Sequence, residues 1–143
     1  MRSRALQAAL FRSLLAGVAY SAIVFAAGFI LGTVRVLVIE PMLGALPAVA
    51  LETPVILCLS WIASAFLTRR LAVAPTLSGR LVMGACAFGL LMAAELSLSM
   101  AAFGRSADEF AAGLVEPAGL LGLSAQLVFA AMPALRLIGM QHL

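Results

Sequence analysis

Arg35, Glu52, Glu95 and Gln126 are charged or strongly polar residues set in or at the edges of long apolar runs. A side chain of that kind facing hydrocarbon near the centre of a bilayer costs at least about 2.5–3.5 kcal/mol, so each needs a partner or a route to water. Counted in helical turns from the ends of their segments, all four fall at a similar depth in the same half. Arg35 is near the end of the first apolar segment and Glu52 about one and a half turns inside the second. Glu95 is about two turns inside the third, and Gln126 about two turns inside the fourth. Two readings follow. In one, the four form a binding pocket, with Arg35 as cation, Glu52 and Glu95 as anions and Gln126 as amide, open to a lipid headgroup, a small amphiphile, an ion or a proton. In the plainer one, Arg35 pairs with Glu52 or Glu95 and the pair fixes helix register. Glu52 also benefits from the first turns of a helix, where the dipole favours negative charge. One arginine cannot fully neutralise two buried glutamates, which keeps Glu95 in view under either reading.

The composition explains why such groups stand out. Of 143 residues, 64% are hydrophobic and 10% charged, with a mean hydropathy of +1.16; soluble domains carry about 25% charge. A soluble fold of this size could not hide so much apolar surface, whereas a bilayer can receive it. The class implied is an all-α integral membrane protein of one domain, spanning residues 1–143. All nine basic residues are arginine. They are spread over termini and loops without the basic, aromatic-laced face that nucleic-acid binding needs, so no nucleic-acid partner is expected. Arg2, Arg4 and Arg12 precede an apolar run, as in a secretory signal. The stretch from Leu14 to Val34 holds no charge for 21 residues, longer than a signal's apolar core of about 7–15. More membrane sequence follows it, which predicts a retained first span.

Four segments reach the roughly 20 residues of helix that a bilayer core requires: about 14–38, 47–67, 81–103 and 118–135. They predict four transmembrane helices in an antiparallel bundle. Arg2, Arg4, Arg12, Arg69, Arg70, Arg80 and Arg136 fall on one side, and Arg35 and Arg105 on the other with most of the acids. The positive-inside rule then places both termini in the cytoplasm. Glu40-Pro41 is expected to end the first helix, Gly44 to make the turn, and Ser78-Gly79-Arg80 to carry the cap of the third span. Ser106 and Glu109 have capping-box spacing and predict a short amphipathic outer helix closed by Glu116-Pro117. Glu40, Asp108, Glu109 and Glu116 read as groups at the water interface.

Helix contacts have a pattern of their own. Gly28-x-x-x-Gly32, and Gly84 and Gly89 with Ala85 and Ala93, supply small surfaces on which helices can approach closely. Cys58 and Cys86 lie inside apolar segments, without CxxC spacing or a nearby histidine, and read as small hydrophobes. Trp61, mid-span, is expected to pack in the bundle or to face a partner. No metalloprotease, hydrolase-elbow or nucleotide-loop motif is present, and the lone histidine, His142, lies in the tail. No catalytic residue, metal site or cofactor is expected.

At GTVRVLVIEPMLG (32–44), ALETP (50–54) and PAGLLGLSAQLVFAAMP (117–133) the chain resembles a group of small, uncharacterised bacterial inner-membrane proteins with four predicted helices. The shared pattern falls on Gly32, Thr33, Arg35, Val36, Pro41, Gly44, Glu52, Pro54, Glu95, Pro117, Ala118, Gly119, Ala125, Gln126 and Pro133. The resemblance implies the four-helix topology and an inner-membrane location, and brings no activity with it. The expected function is therefore non-enzymatic: an accessory or structural subunit of a membrane complex, in contact with the bilayer and with another membrane protein or a second copy of itself. The alternative is binding or transport of a small molecule, lipid or ion through Arg35, Glu52, Glu95 and Gln126.

Overall fold

The computed structural model describes residues 1–140, so His142 lies outside the described residues. The chain is built from helices: α1 (Arg2–Val34), a π-helical turn (Arg35–Ile39), α2 (Glu40–Leu43), α3 (Ala45–Arg70), α4 (Leu77–Phe103), α5 (Ala107–Leu114) and α6 (Pro117–Met140). Among the described residues there is no strand. Four helical stretches are long and apolar enough to cross a membrane: Arg2–Leu43, Ala45–Arg70, Leu77–Phe103 and Pro117–Gly139.

The first helix differs from expectation at its end. Pro41 does not stop it, and Glu40 keeps α-helical angles (φ −63°, ψ −40°). A proline inside a helix clashes with the carbonyl four residues back and lacks a donor. The π turn absorbs this. It takes up an extra residue, with the Glu40 N–H bonded back to the Arg35 carbonyl, and Pro41 then occupies the first turn of α2, where no donor is required. The stop comes at Gly44, whose φ of +87° is open to glycine and strained for other residues. The cap of α4 also differs from expectation. Thr76, not Ser78, accepts the Gly79 N–H at 3.2 Å. The Ser106–Glu109 capping box on α5 forms in both directions, at 2.8 and 3.2 Å.

α1 packs against α3 and α4, and α6 packs against the same two. The helices therefore form a ring in the order α1, α3, α6, α4, and the consecutive helices α3 and α4 sit across its diagonal. Ser13 stands beside Gly79, and Gly17 beside Met83 and Cys86, so α1 and α4 run in the same direction. Glu95 pairs with Gln126 while Gly84 meets Ala130, so α4 and α6 run oppositely. The core holds Ala16, Tyr20, Val24, Met83, Ala87, Leu91 and Phe129. At its centre the Tyr20 ring stacks on Phe129 with centroids 4.3 Å apart, and its hydroxyl donates to the Phe129 carbonyl at 3.0 Å. Most of the large apolar side chains, Phe29, Ile30, Leu37, Ile62 and Phe66 among them, point outward.

Two glycines set the spacing between the long helices. A Cβ on Gly84 would lie 1.9 Å from the Ala130 carbonyl oxygen, and one on Gly17 would lie 2.8 Å from the Cys86 Cβ. The other small residues expected at contacts sit elsewhere. Gly28 meets only the tip of Ile56, Gly32 only Arg35 of its own chain segment, and Gly89 nothing within 4 Å. Close approach depends on which face the ring order turns inward, and GxxxG spacing alone does not specify that. Gly84→Ala should therefore destabilise the fold by about 1–3 kcal/mol through overpacking, whereas Gly89→Ala should leave it unchanged or stabilise it by less than about 1 kcal/mol. Thermal melting in a mild detergent reads both, and equal effects would contradict the packing described.

Candidate functional site: a polar cluster and an open small-residue face

The π turn positions the first half of the cluster. It begins at Arg35, and its wider winding brings Glu40, five residues on, to the same side. Arg35 Nε donates to Glu52 Oε2 of α3 at 2.5 Å, and Nη1 donates to Glu40 Oε2 at 3.2 Å. The Arg35 side chain is 26% exposed and that of Glu52 17%. This one guanidinium thus ties together the π turn, α2 and α3. π turns of this kind often sit at functional positions, where they re-aim a side chain. Of the two pairings open to Arg35 in the sequence, the geometry shows the one with Glu52.

The second half joins α4 to α6. Gln126 Nε2 donates to both carboxylate oxygens of Glu95 at 2.7 Å. Gln126 Oε1 is buried with no hydrogen-bond partner. Glu95 lies within charge–charge range of both Arg35 and Glu52. All four residues therefore stand at one level of the bundle as two pairs. Two carboxylates, Glu40 and Glu52, share one guanidinium, and Glu95 has an amide in place of a cation. Among the described residues no three histidine, cysteine or acidic side chains converge as a metal site.

Comparisons with known proteins add no relative. No protein-family model, curated protein or solved structure matches the chain.

A second feature lies on the outside. Ala85, Gly89 and Ala93, four residues apart on α4, are all exposed. They form a flat strip of the small-xxx-small kind, on which a helix backbone can approach closely. The sequence placed these residues together without showing which face would turn outward. The sequence reading missed Tyr20, the only tyrosine, whose hydroxyl finds its partner 109 residues away; a lone phenol inside an apolar span is the signal that pointed to it. Trp61 is 43% exposed, and the Arg136 guanidinium lies over its ring at 4.6 Å.

The two pairs differ in what their loss should do. Arg35→Ala and Glu52→Ala should be non-additive in a stability cycle in detergent, with a coupling of at least about 0.5 kcal/mol. Arg35→Ala combined with Gln126→Ala should be closer to additive. Full additivity in the first cycle would contradict the pairing.

Proposed function

We propose that this chain is a small, non-enzymatic, multi-pass protein of a bacterial cytoplasmic membrane, a member of the group it resembles. In this reading its four long helices cross the bilayer in alternating directions, with both termini in the cytoplasm. It serves as an accessory or structural subunit that docks another membrane protein, or a second copy of itself, through the outer face of α4. The observation that carries the reading is the exposed strip Ala85, Gly89, Ala93. It is a helix-sized contact surface left unused inside the bundle. In lipid there is little hydrophobic driving force between helices, so association relies on close van der Waals packing over small residues. The arginine asymmetry supports the orientation, and the apolar exterior supports insertion.

The test is the mass of the particle extracted in mild detergent, read by native mass spectrometry. The expected result is the chain in fixed stoichiometry with a membrane partner or with itself, and loss of that assembly in Gly89→Leu, whose larger side chain holds a partner helix away. A Gly89→Leu variant that keeps the assembly would overturn the reading.

A second reading rests on the orphaned Gln126 Oε1. An amide can donate N–H to a carboxylate and can equally accept from a carboxylic acid after a half-turn. A proton on Glu95 would give the pair the donor that the Gln126 oxygen lacks beside the carboxylate, which suits proton binding or proton-linked transport. Infrared difference spectra between acid and neutral pH should show a titrating carboxyl band. That band should vanish in Glu95→Gln and persist in Glu40→Gln, and a band unaffected by Glu95→Gln would remove this reading.

A further inference from the structure

Among the described residues, the end of the bundle remote from the polar cluster carries arginines that form no salt bridge. Arg80 lies in the first turns of α4 and is only 8% exposed. Its Nε donates to the Ala74 carbonyl at 3.3 Å. Among the described residues it makes no salt bridge, since Arg35 forms both ion pairs found. Arg80 is within charge–charge range of Arg136, and Arg136 of Arg69.

Three terms oppose this arrangement. The Arg80 charge is buried. It sits at the start of a helix, where the dipole disfavours cations. It is also close to like charge. A carboxylate would relieve all three, but the acids Glu40, Glu52, Glu95, Asp108, Glu109 and Glu116 belong to the other half of the bundle. An anion from outside the chain would relieve them equally. An open groove runs along α3, walled by Ile62, Ala65 and Phe66 and rimmed by Arg69 and Arg70, and it begins next to Trp61, over whose ring Arg136 lies. Cations above an apolar wall match a molecule with an anionic head and a hydrocarbon tail. Guanidinium groups suit phosphate because their planar fork donates two parallel hydrogen bonds. Basic pockets between membrane helices on the cytoplasmic side bind anionic lipid heads in the same way.

We propose that Arg136, flanked by Arg69 and Arg80, holds the phosphodiester of an anionic phospholipid of the inner leaflet, with an acyl chain lying along Ile62, Ala65 and Phe66. This rests on the reading of the chain as membrane-spanning. It is independent of the docking face on α4. The anion offsets the mutual repulsion of the arginines, and the cation–π contact with Trp61 keeps the Arg136 head in place.

The experiment is native mass spectrometry of protein recovered from the membrane fraction and exchanged into mild detergent. Three additions are compared: phosphatidylglycerol, phosphatidylcholine of the same chain length, and inorganic phosphate alone. Phosphatidylglycerol should be retained in preference to phosphatidylcholine. Retention should fall about fivefold in Arg136→Gln and about fivefold in the exposed-site variant Arg69→Gln, and should be unchanged in the double variant Arg2→Gln/Arg4→Gln, which removes charge at another site. Equal retention of the two lipids, or undiminished retention in both Arg136→Gln and Arg69→Gln, would overturn the proposal. Displacement of phosphatidylglycerol by inorganic phosphate alone would also overturn it, by showing a site for free anions. A chain absent from the membrane fraction fails the membrane reading before any lipid is added, so the two failures are distinct.

Discussion

The Arg35 guanidinium, held between Glu52 and Glu40, is the interaction on which the upper half of the bundle depends. The exterior of the helices is apolar, so a charge has two acceptable places: an end, or the interior beside a partner. Arg35 takes the second, and in doing so it fixes how α1 meets α3. The π turn belongs to the same device. Without it Pro41 would break the helix, and Glu40 would point away from Arg35. A single extra residue in the turn solves a backbone problem and an electrostatic one together. The Glu95–Gln126 pair does for α4 and α6 what Arg35 does for α1 and α3, with an amide in place of a cation.

The charges are separated along the bundle. Carboxylates gather near the polar cluster and α5. At the other end Arg80 meets a backbone carbonyl and Arg136 an indole ring, and among the described residues Arg69, Arg80 and Arg136 form no salt bridge. The proposed topology and the proposed lipid contact are two consequences of this one asymmetry. The first concerns which way the chain inserts, and the second concerns what then neutralises the arginines. The middle of the bundle is held by small-residue contact at Gly17 and Gly84 and by the Tyr20–Phe129 stack, which leaves the outer strip of α4 free.

Much of this was legible in the sequence because the signals are local. Length and hydropathy marked the four helices. Turn counting placed Arg35, Glu52, Glu95 and Gln126 at one depth, and Ser106 with Glu109 announced the α5 cap. What was not legible depends on how helices are arranged around one another. The passage through Pro41 required a π turn, which residue-by-residue preference does not reveal. The ring order, with α3 and α4 on a diagonal, decides which small residues face inward. Gly84 therefore became a contact while Gly28, Gly32 and Gly89 did not, and Gly17 was overlooked. Arg80 looked like a loop charge because its burial comes from Ala74 and the neighbouring helix ends, not from its own segment.

The proposed topology puts four helices across a membrane with the arginine-rich end in the cytoplasm. The most direct measurement is labelling of single cysteines by a membrane-impermeant maleimide in intact cells, in a background with Cys58 and Cys86 replaced by alanine. Cysteines placed at Ser3, Ala72 and Ser106, all exposed, report the three informative positions. Ser106→Cys should label from outside, while Ser3→Cys and Ala72→Cys should label only after the membrane is permeabilised. Labelling of Ala72→Cys in intact cells, or protection of Ser106→Cys, would contradict that topology.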